Sequence, residues 1–206
     1  MSDLEYFNKK YDYICFTDDE KLESDFWEIR EMKKNDLDEV RRAREYKILP
    51  HKFIEEYDYS VWIDGYMNIR SDLDDLIKRF SKGSPMISIK HPDRDCIYDE
   101  AKACIDGKRD SEKIINHQMK KYLSENYPKN NGLIASGLLF RSHNNPQIIK
   151  LMENWWNEII HHSRRDQLSY NYVCWKNNFN YDESDLYLWD NEFFYLEGPH
   201  KTNIYK

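Results

Sequence analysis

Cysteine is scarce and scattered: Cys15, Cys96, Cys104 and Cys174 form no C-x-x-C pair. Such spacing offers neither a zinc knuckle nor a disulfide framework, and it leaves reduced structural thiols as the reading. Glycine and proline are equally sparse, six of each, and they are dispersed, so the chain has no flexible linker, low-complexity stretch or internal repeat. Long apolar runs are missing too. No segment approaches the roughly 20 residues of a membrane-spanning helix, and residues 1–10 lack the charged-then-apolar order of a signal peptide, so a cytoplasmic protein without a membrane span is expected. Nor is there a basic excess. The 38 acidic and 31 basic residues give a formal charge of −7, which argues against a surface that tracks nucleic-acid phosphates, and no nucleic-acid partner is expected.

What remains is a chain of 206 residues, 40% hydrophobic and 15% aromatic, enough to bury one core and too short for two ordinary enzyme domains. One domain spanning residues 1–206 is expected. A mean hydropathy of −0.95 with 33% charged residues gives it an extensively solvated surface.

Short runs of β-branched and aromatic residues alternate with amphipathic stretches, the pattern of an α/β fold whose mixed, mainly parallel central sheet is flanked by helices. Strands are predicted at residues 11–17, 59–64, 85–90 and 134–140. Asp38 opens a helix on which Arg41, Arg44 and Lys47 share a face. Ser71 with Asp74 reads as a capping box for a helix over residues 72–81, stopped by Gly83. Asp110 or Ser111 caps a helix that turns Ile115, Met119, Tyr122 and Leu123 inward. Asn145, with Pro146 at the first helical position, starts the most periodic helix; its stripe is Ile148, Met152, Trp155, Trp156, Ile159 and Ile160, and its tryptophans read as core. Asp166 is placed as the N-cap of a short last helix reaching Trp175.

Several constellations bear on chemistry. The apolar run Val61-Trp62-Ile63 delivers Asp64 to a strand end, where Gly65 turns the chain. Ligands of open α/β sheets bind beyond the carboxyl ends of strands, so Asp64 either offers oxygens to a hard divalent cation or caps the turn. Arg41, Arg44 and Lys47 concentrate positive charge ahead of Leu49-Pro50; they either grip a diphosphate bidentately or form a solvated face paired with Glu39 and Glu45. The run from Arg164 to Ser169 sets charge and amide groups before an aromatic helix, or is an ordinary cap. Near the end of the chain, His200 supplies an imidazole for a metal site and Lys201 a cation for phosphate. His161 and His162 are adjacent, and adjacent helical residues do not face one site.

Taken in order, the segments at residues 13–18, 41–51, 62–65, 90–95, 131–132, 136–137 and 164–169 resemble a group of glycosyltransferase-like proteins once filed as a domain of unknown function and distantly similar to glycosyltransferase family 8. The resemblance implies a single GT-A, Rossmann-like domain. It also implies a nucleotide-sugar donor, a UDP-sugar above all, and a divalent cation, usually manganese with magnesium as its substitute, bridging the donor diphosphate to the carboxylate motif that Asp64 begins. Tyr66 stands where family 8 enzymes usually carry a second aspartate, so the metal would rely on Asp64, Asn68 and His200. By the same analogy Arg41, Arg44, Lys47, Asp64 and Lys201 bind the donor. His91, Asn131 and Ser136 face the acceptor, a glycan or other hydroxyl compound in polysaccharide biosynthesis. Asp166 and Gln167 lie beside the reacting carbon, and transfer retains anomeric configuration. Relatives usually begin with an apolar strand that cradles the base. Residues 1–10 are polar, so the first strand is expected to be shortened or missing.

Two other classes compete. A non-catalytic GT-A-like module binding a glycan or a protein accommodates the replaced aspartate and the short first strand. It predicts no metal-dependent donor binding. A metal-dependent phosphohydrolase also places an aspartate after an apolar strand, but it needs a second carboxylate two residues on, and Tyr66, with a reference pKa of about 10, does not replace that acid near neutrality.

Overall fold

The computed structural model of the chain describes residues 5–196. Strand β1 (Ile14–Thr17) lies parallel to β2 (Glu28–Glu31), Ile14 opposite Glu28, so the polar stretch after the first strand holds a second strand where a loop was expected. No strand is formed in residues 5–13. Helix α1 (Glu39–Ile48) starts where predicted, the Asp38 carboxylate accepting from the N–H groups of Val40 and Arg41 at 3.1 Å. Next come β3 (Ser60–Ile63), β4 (Met67–Ile69) and α2 (Leu73–Phe80). The cap of α2 is Asp72, which accepts from the N–H of Asp74 at 2.9 Å. Ser71, expected to do this, donates its hydroxyl to the Glu192 carbonyl at 2.7 Å instead. The chain continues through β5 (Met86–Lys90), α3 (Ile97–Asp106), α4 (Glu112–Ser124), β6 (Ile134–Arg141) and α5 (Pro146–His161). A 3₁₀ turn (Asp166–Leu168), α6 (Tyr170–Lys176), β7 (Asp182–Ser184) and β8 (Phe194–Leu196) complete it.

The central sheet has the order β3-β6-β5-β7. β6 runs antiparallel to both of its neighbours, and β7 is parallel to β5. Three of the four strands therefore share a direction and β6 opposes them, which is the expected mixed sheet, although only one adjacent pair is parallel. β4 and β8 form a separate antiparallel pair, and β1 with β2 forms another pair outside the central sheet. Among the described residues no strand bonds to the outer edge of β3.

Strand side chains alternate between faces, so the sheet separates two cores. Met86 and Leu139 point to the side covered by α1, α3, α4, α5 and α6, where Ile48, Ile97, Ile115, Trp155 and Tyr170 pack. Ile87, Leu138 and Phe140 point to the other side, against Leu76 and Phe80 of α2 and Phe194 of β8. Helix α5 buries its predicted stripe at Ile148, Met152, Trp155 and Ile159, while Trp156 and Ile160 lie at its half-buried margin. In α4, Leu123 is 51% exposed, against expectation. With about 100° per residue, Tyr122 falls within about 20° of Ile115 on the helix wheel and Leu123 about 80° away, so both cannot face the core fully. This arrangement is the α/β, GT-A-like fold that the sequence resemblance implies. No described helix is long and apolar enough to cross a membrane.

Candidate active site

The site begins with an irregularity in β6. Its register against β5 jumps from Ser88 opposite Leu139 to Ile89 opposite Ala135, so Ser136, Gly137 and Leu138 bulge out of the pairing. Bulges bend a strand and re-aim its side chains, and they recur beside active sites. Here the bulge turns Ser136 toward α1. On the other edge the Gly137 carbonyl accepts from the N–H of Asp64 at 2.9 Å, extending the β3–β6 ladder by one residue. Asp64 then opens a tight turn, closed by the Met67 N–H donating to its carbonyl at 2.9 Å. A Cβ on Gly137 would lie 3.6 Å from Asp64 Oδ2 and 3.7 Å from the Tyr66 hydroxyl, ordinary van der Waals distances that show how closely the turn lies against the sheet.

Five side chains from four segments meet there. Lys47, in the last turn of α1, is fully buried, and its ammonium lies 2.8 Å from Asp166 Oδ2, 3.3 Å from Asp64 Oδ1 and 3.2 Å from Ser136 Oγ. The Ser136 hydroxyl donates to Asp166 Oδ2 at 3.0 Å. Arg44, one turn before Lys47, sets Nε 3.0 Å from the same oxygen, an ion-pair distance without hydrogen-bond alignment. Asp166 is 1% exposed. Burial alone would raise its pKa, but the charges of Arg44, Lys47 and Arg165 overcome that and hold the carboxyl well below the usual carboxylate range. The relation is mutual: burial pulls the Arg165 guanidinium down, and Asp166, helped by Cys104 and Glu100, brings it back above its ordinary value. Asp166 therefore does not cap α6 through its side chain, as the sequence suggested; its carboxylate serves as the buried anchor of the cations.

The backbone that carries Asp166 is held from two sides. The Trp155 indole donates to the Asp166 carbonyl at 3.1 Å, and Asp110 accepts from the Ser163 hydroxyl at 2.7 Å and the Arg164 N–H at 3.0 Å. Asp110 thus ties down the approach to the site, while the N-cap position of α4 falls to Ser111.

Asp64 is 16% exposed and faces a cavity of about 740 Å³ between β1, α1 and the open edge of β3. Phe16, Arg44, Tyr46, Trp62 and Tyr66 also line it. That volume lies within the range of small-molecule sites. The Tyr66 hydroxyl donates to Asp64 Oδ2 at 3.1 Å, and its pKa is raised by burial first and by the Asp64 charge second.

The other predicted site residues are not gathered here. Arg41 donates from Nε to the Ile159 carbonyl at 2.9 Å, from Nη2 to the His162 carbonyl at 2.7 Å and from Nη1 to Asp38 at 2.6 Å, fastening α1 to the end of α5. His91 follows β5; its Nδ1 accepts from the N–H groups of Asp93 and Arg94 at 3.2 Å, and burial lowers its pKa. Asn131 is exposed and donates to the Tyr127 hydroxyl at 3.4 Å. Gln167 is half-buried next to Asp166, donating to the Ile134 carbonyl at 3.1 Å. His200 and Lys201 lie outside the described residues. Sequence reasoning missed the pairing role of Ser136 and the support given by Trp155 and Asp110. The lone glycine inside the β6 run was the available signal for the bulge.

These contacts decide how Asp64 suits a divalent cation. Oδ1 receives the Trp62 indole N–H at 2.8 Å as well as the Lys47 ammonium, and Oδ2 receives Tyr66. Among the described residues no group of three His, Cys, Asp or Glu side chains is placed to hold a metal ion. A carboxylate ringed by three donors, one of them cationic, does not fit a dication, which would be set beside a buried like charge.

None of the curated proteins compared with the chain matches it. Residues 8–194 match the family described as TOD1/MUCI70, glycosyltransferase-like domain. With nearly the whole length covered, and with a GT-A-like fold that gathers Arg44, Lys47, Asp64, Ser136 and Asp166 into one cluster bordering the cavity through Arg44 and Asp64, the chain belongs to the TOD1/MUCI70 glycosyltransferase-like family.

Proposed function

We propose that this chain is a glycosyltransferase that takes a sugar from a nucleoside-diphosphate donor, UDP-linked in the first instance, and passes it to a hydroxyl group of a glycan or a comparable acceptor. The observation that carries the reading is the buried cation cluster of Arg44 and Lys47, anchored on Asp166 and opening through Arg44 and Asp64 onto the cavity. Guanidinium forks match phosphate oxygens, and a cation held by a buried anion is already oriented when the leaving diphosphate develops its charge.

In this reading Arg44 grips the diphosphate. Asp64, the only carboxylate of the cluster with appreciable exposure, accepts a hydrogen bond from a hydroxyl of the donor. Asp166 is a positioning residue: enclosed by cations and the Ser136 hydroxyl, it acts through Arg44 and Lys47. Gln167, half-buried, follows it in the chain. The bond between the anomeric carbon and the diphosphate oxygen breaks, a bond to the acceptor oxygen forms, and the acceptor proton leaves on the diphosphate. Retention of configuration is the proposed outcome, by analogy with the enzymes the motifs resemble.

A thermal-shift screen of UDP, GDP and several UDP-sugars tests this. Stabilisation by one nucleotide, much reduced in Arg44→Gln, is the expected result, because a ligand that binds only the folded state raises its stability. If no nucleotide moves the melt, the chain is better described as a module that binds a glycan or a protein.

A further inference from the structure

We infer that the donor site operates without a divalent cation, its charge being supplied by fixed side chains: the Lys47 ammonium as the permanent counter-ion of Asp64, and the Arg44 guanidinium on the cavity wall. The inference rests on the donor reading above and deepens it.

Three observations support it. Both oxygens of Asp64 already accept from donors: Lys47 and Trp62 at Oδ1, Tyr66 at Oδ2. A hard cation needs those lone pairs, and it needs oxygens from partners that carry no proton of their own toward it. Tyr66 occupies the place of a second carboxylate and brings an O–H in its stead. Lys47, moreover, has nowhere to go. Its Nζ is enclosed by Asp166 and Ser136 and lies 5.9 Å from the centre of the Trp62 ring, and removing the ammonium from Asp166 would leave a buried carboxylate short of a partner. Arg44, finally, is tied to Asp166 through Nε while its side chain forms part of the cavity wall, where a phosphate can reach it.

The chemistry is consistent with this charge count. Arg44, Lys47 and Arg165 surround Asp166, with Asp64 beside Lys47, so this group holds one more positive than negative charge, which offsets part of the negative charge of an arriving diphosphate. A site with paired carboxylates would need a cation before a diphosphate could approach. This one does not.

The test has two arms on the intact protein. Manganese is titrated against the wild type and Asp64→Asn while the signal of the free aquo ion is followed by electron paramagnetic resonance. Binding of UDP and GDP is measured by calorimetry in EDTA and again in manganese. We expect no Asp64-dependent uptake of manganese, and nucleotide affinity that is equal in the two buffers and falls tenfold or more in Arg44→Gln, in the range expected for a lost charge-assisted contact. Nucleotide binding that appears only with manganese overturns the inference, as does manganese uptake by the wild type that is lost in Asp64→Asn. Should neither nucleotide bind in either buffer, the donor reading fails by itself, and the resonance arm still decides between an Asp64 that takes a metal ion and one that does not.

Discussion

Trp155 donates its indole N–H to the backbone carbonyl of Asp166 at 3.1 Å and also lies 3.2 Å from the Ser169 hydroxyl. A fully buried tryptophan of the core helix thus sets the height of the loop that presents the anchoring carboxylate. Trp155→Phe keeps much of the apolar volume and removes the donor. The expected cost is about 1–3 kcal/mol, that of a buried acceptor deprived of a partner, and nucleotide affinity should fall with it. Urea unfolding and calorimetry measure the two effects; unchanged affinity at reduced stability would separate the core from the site.

Lys47 and Arg44 should behave differently although they neighbour one another on α1. Lys47→Met strips a buried carboxylate of its nearest cation, and a loss of about 3–5 kcal/mol is expected. Arg44, partly exposed at the cavity, should cost far less stability as Arg44→Gln and far more nucleotide affinity. Equal stability losses in the two variants would contradict the division of labour.

The acid limb of stability follows from Asp166. Burial raises its pKa, the surrounding cations lower it by more, and the folded value ends below the unfolded value of about 3.9. Such a group stabilises the fold fully above the unfolded pKa, and the contribution fades as pH falls toward the folded one. The urea midpoint of the wild type should therefore drop steeply below about pH 4. Asp166→Asn, already weakened at neutral pH by its unpaired cations, should show a shallower drop over the same range.

Thiol chemistry offers an inexpensive check of the core. Burial pushes Cys104 up to about 11, with Glu100 adding to it, and pushes Cys174 up to about 12. Cys96 is buried, and Cys15, half-buried, is also raised by burial. Ellman's reagent at mildly alkaline pH should find at most one reactive thiol in the native protein and all four after unfolding.

The long elements were legible before any coordinates because their signals are local. Asp38 and Asn145 cap as read, and the stripe of α5 is a matter of spacing alone. Helix α3 escaped because its N-cap, Cys96, makes no side-chain bond and its inner face carries the buried Glu100, held by Arg94 at 2.7 Å. Strands β4, β7 and β8, three residues each, are too short to show a period. At the site, residue types were easier to read than partners. Arg41, Arg44 and Lys47 do follow one another along α1, but a step of three residues falls about 60° short of a full turn, so the row winds around the helix. It meets α5 at Arg41, the cavity at Arg44 and buried Asp166 at Lys47. No local pattern announces which remote segment will supply the counter-charge.

Strand β6, inside the central sheet, is the last but one of its strands to be made. β3 and β5 share no bond with each other, and each waits for β6, which follows both in the sequence. On the ribosome, two apolar ribbons therefore emerge with their edges bare and stay so until the strand containing the Ser136–Gly137 bulge is synthesised and threads between them. Unpaired edges of this kind invite association with other chains. Joining of the sheet and formation of the site thus both wait for the last third of the chain, and yield in a host cell should depend on how well those waiting edges are shielded.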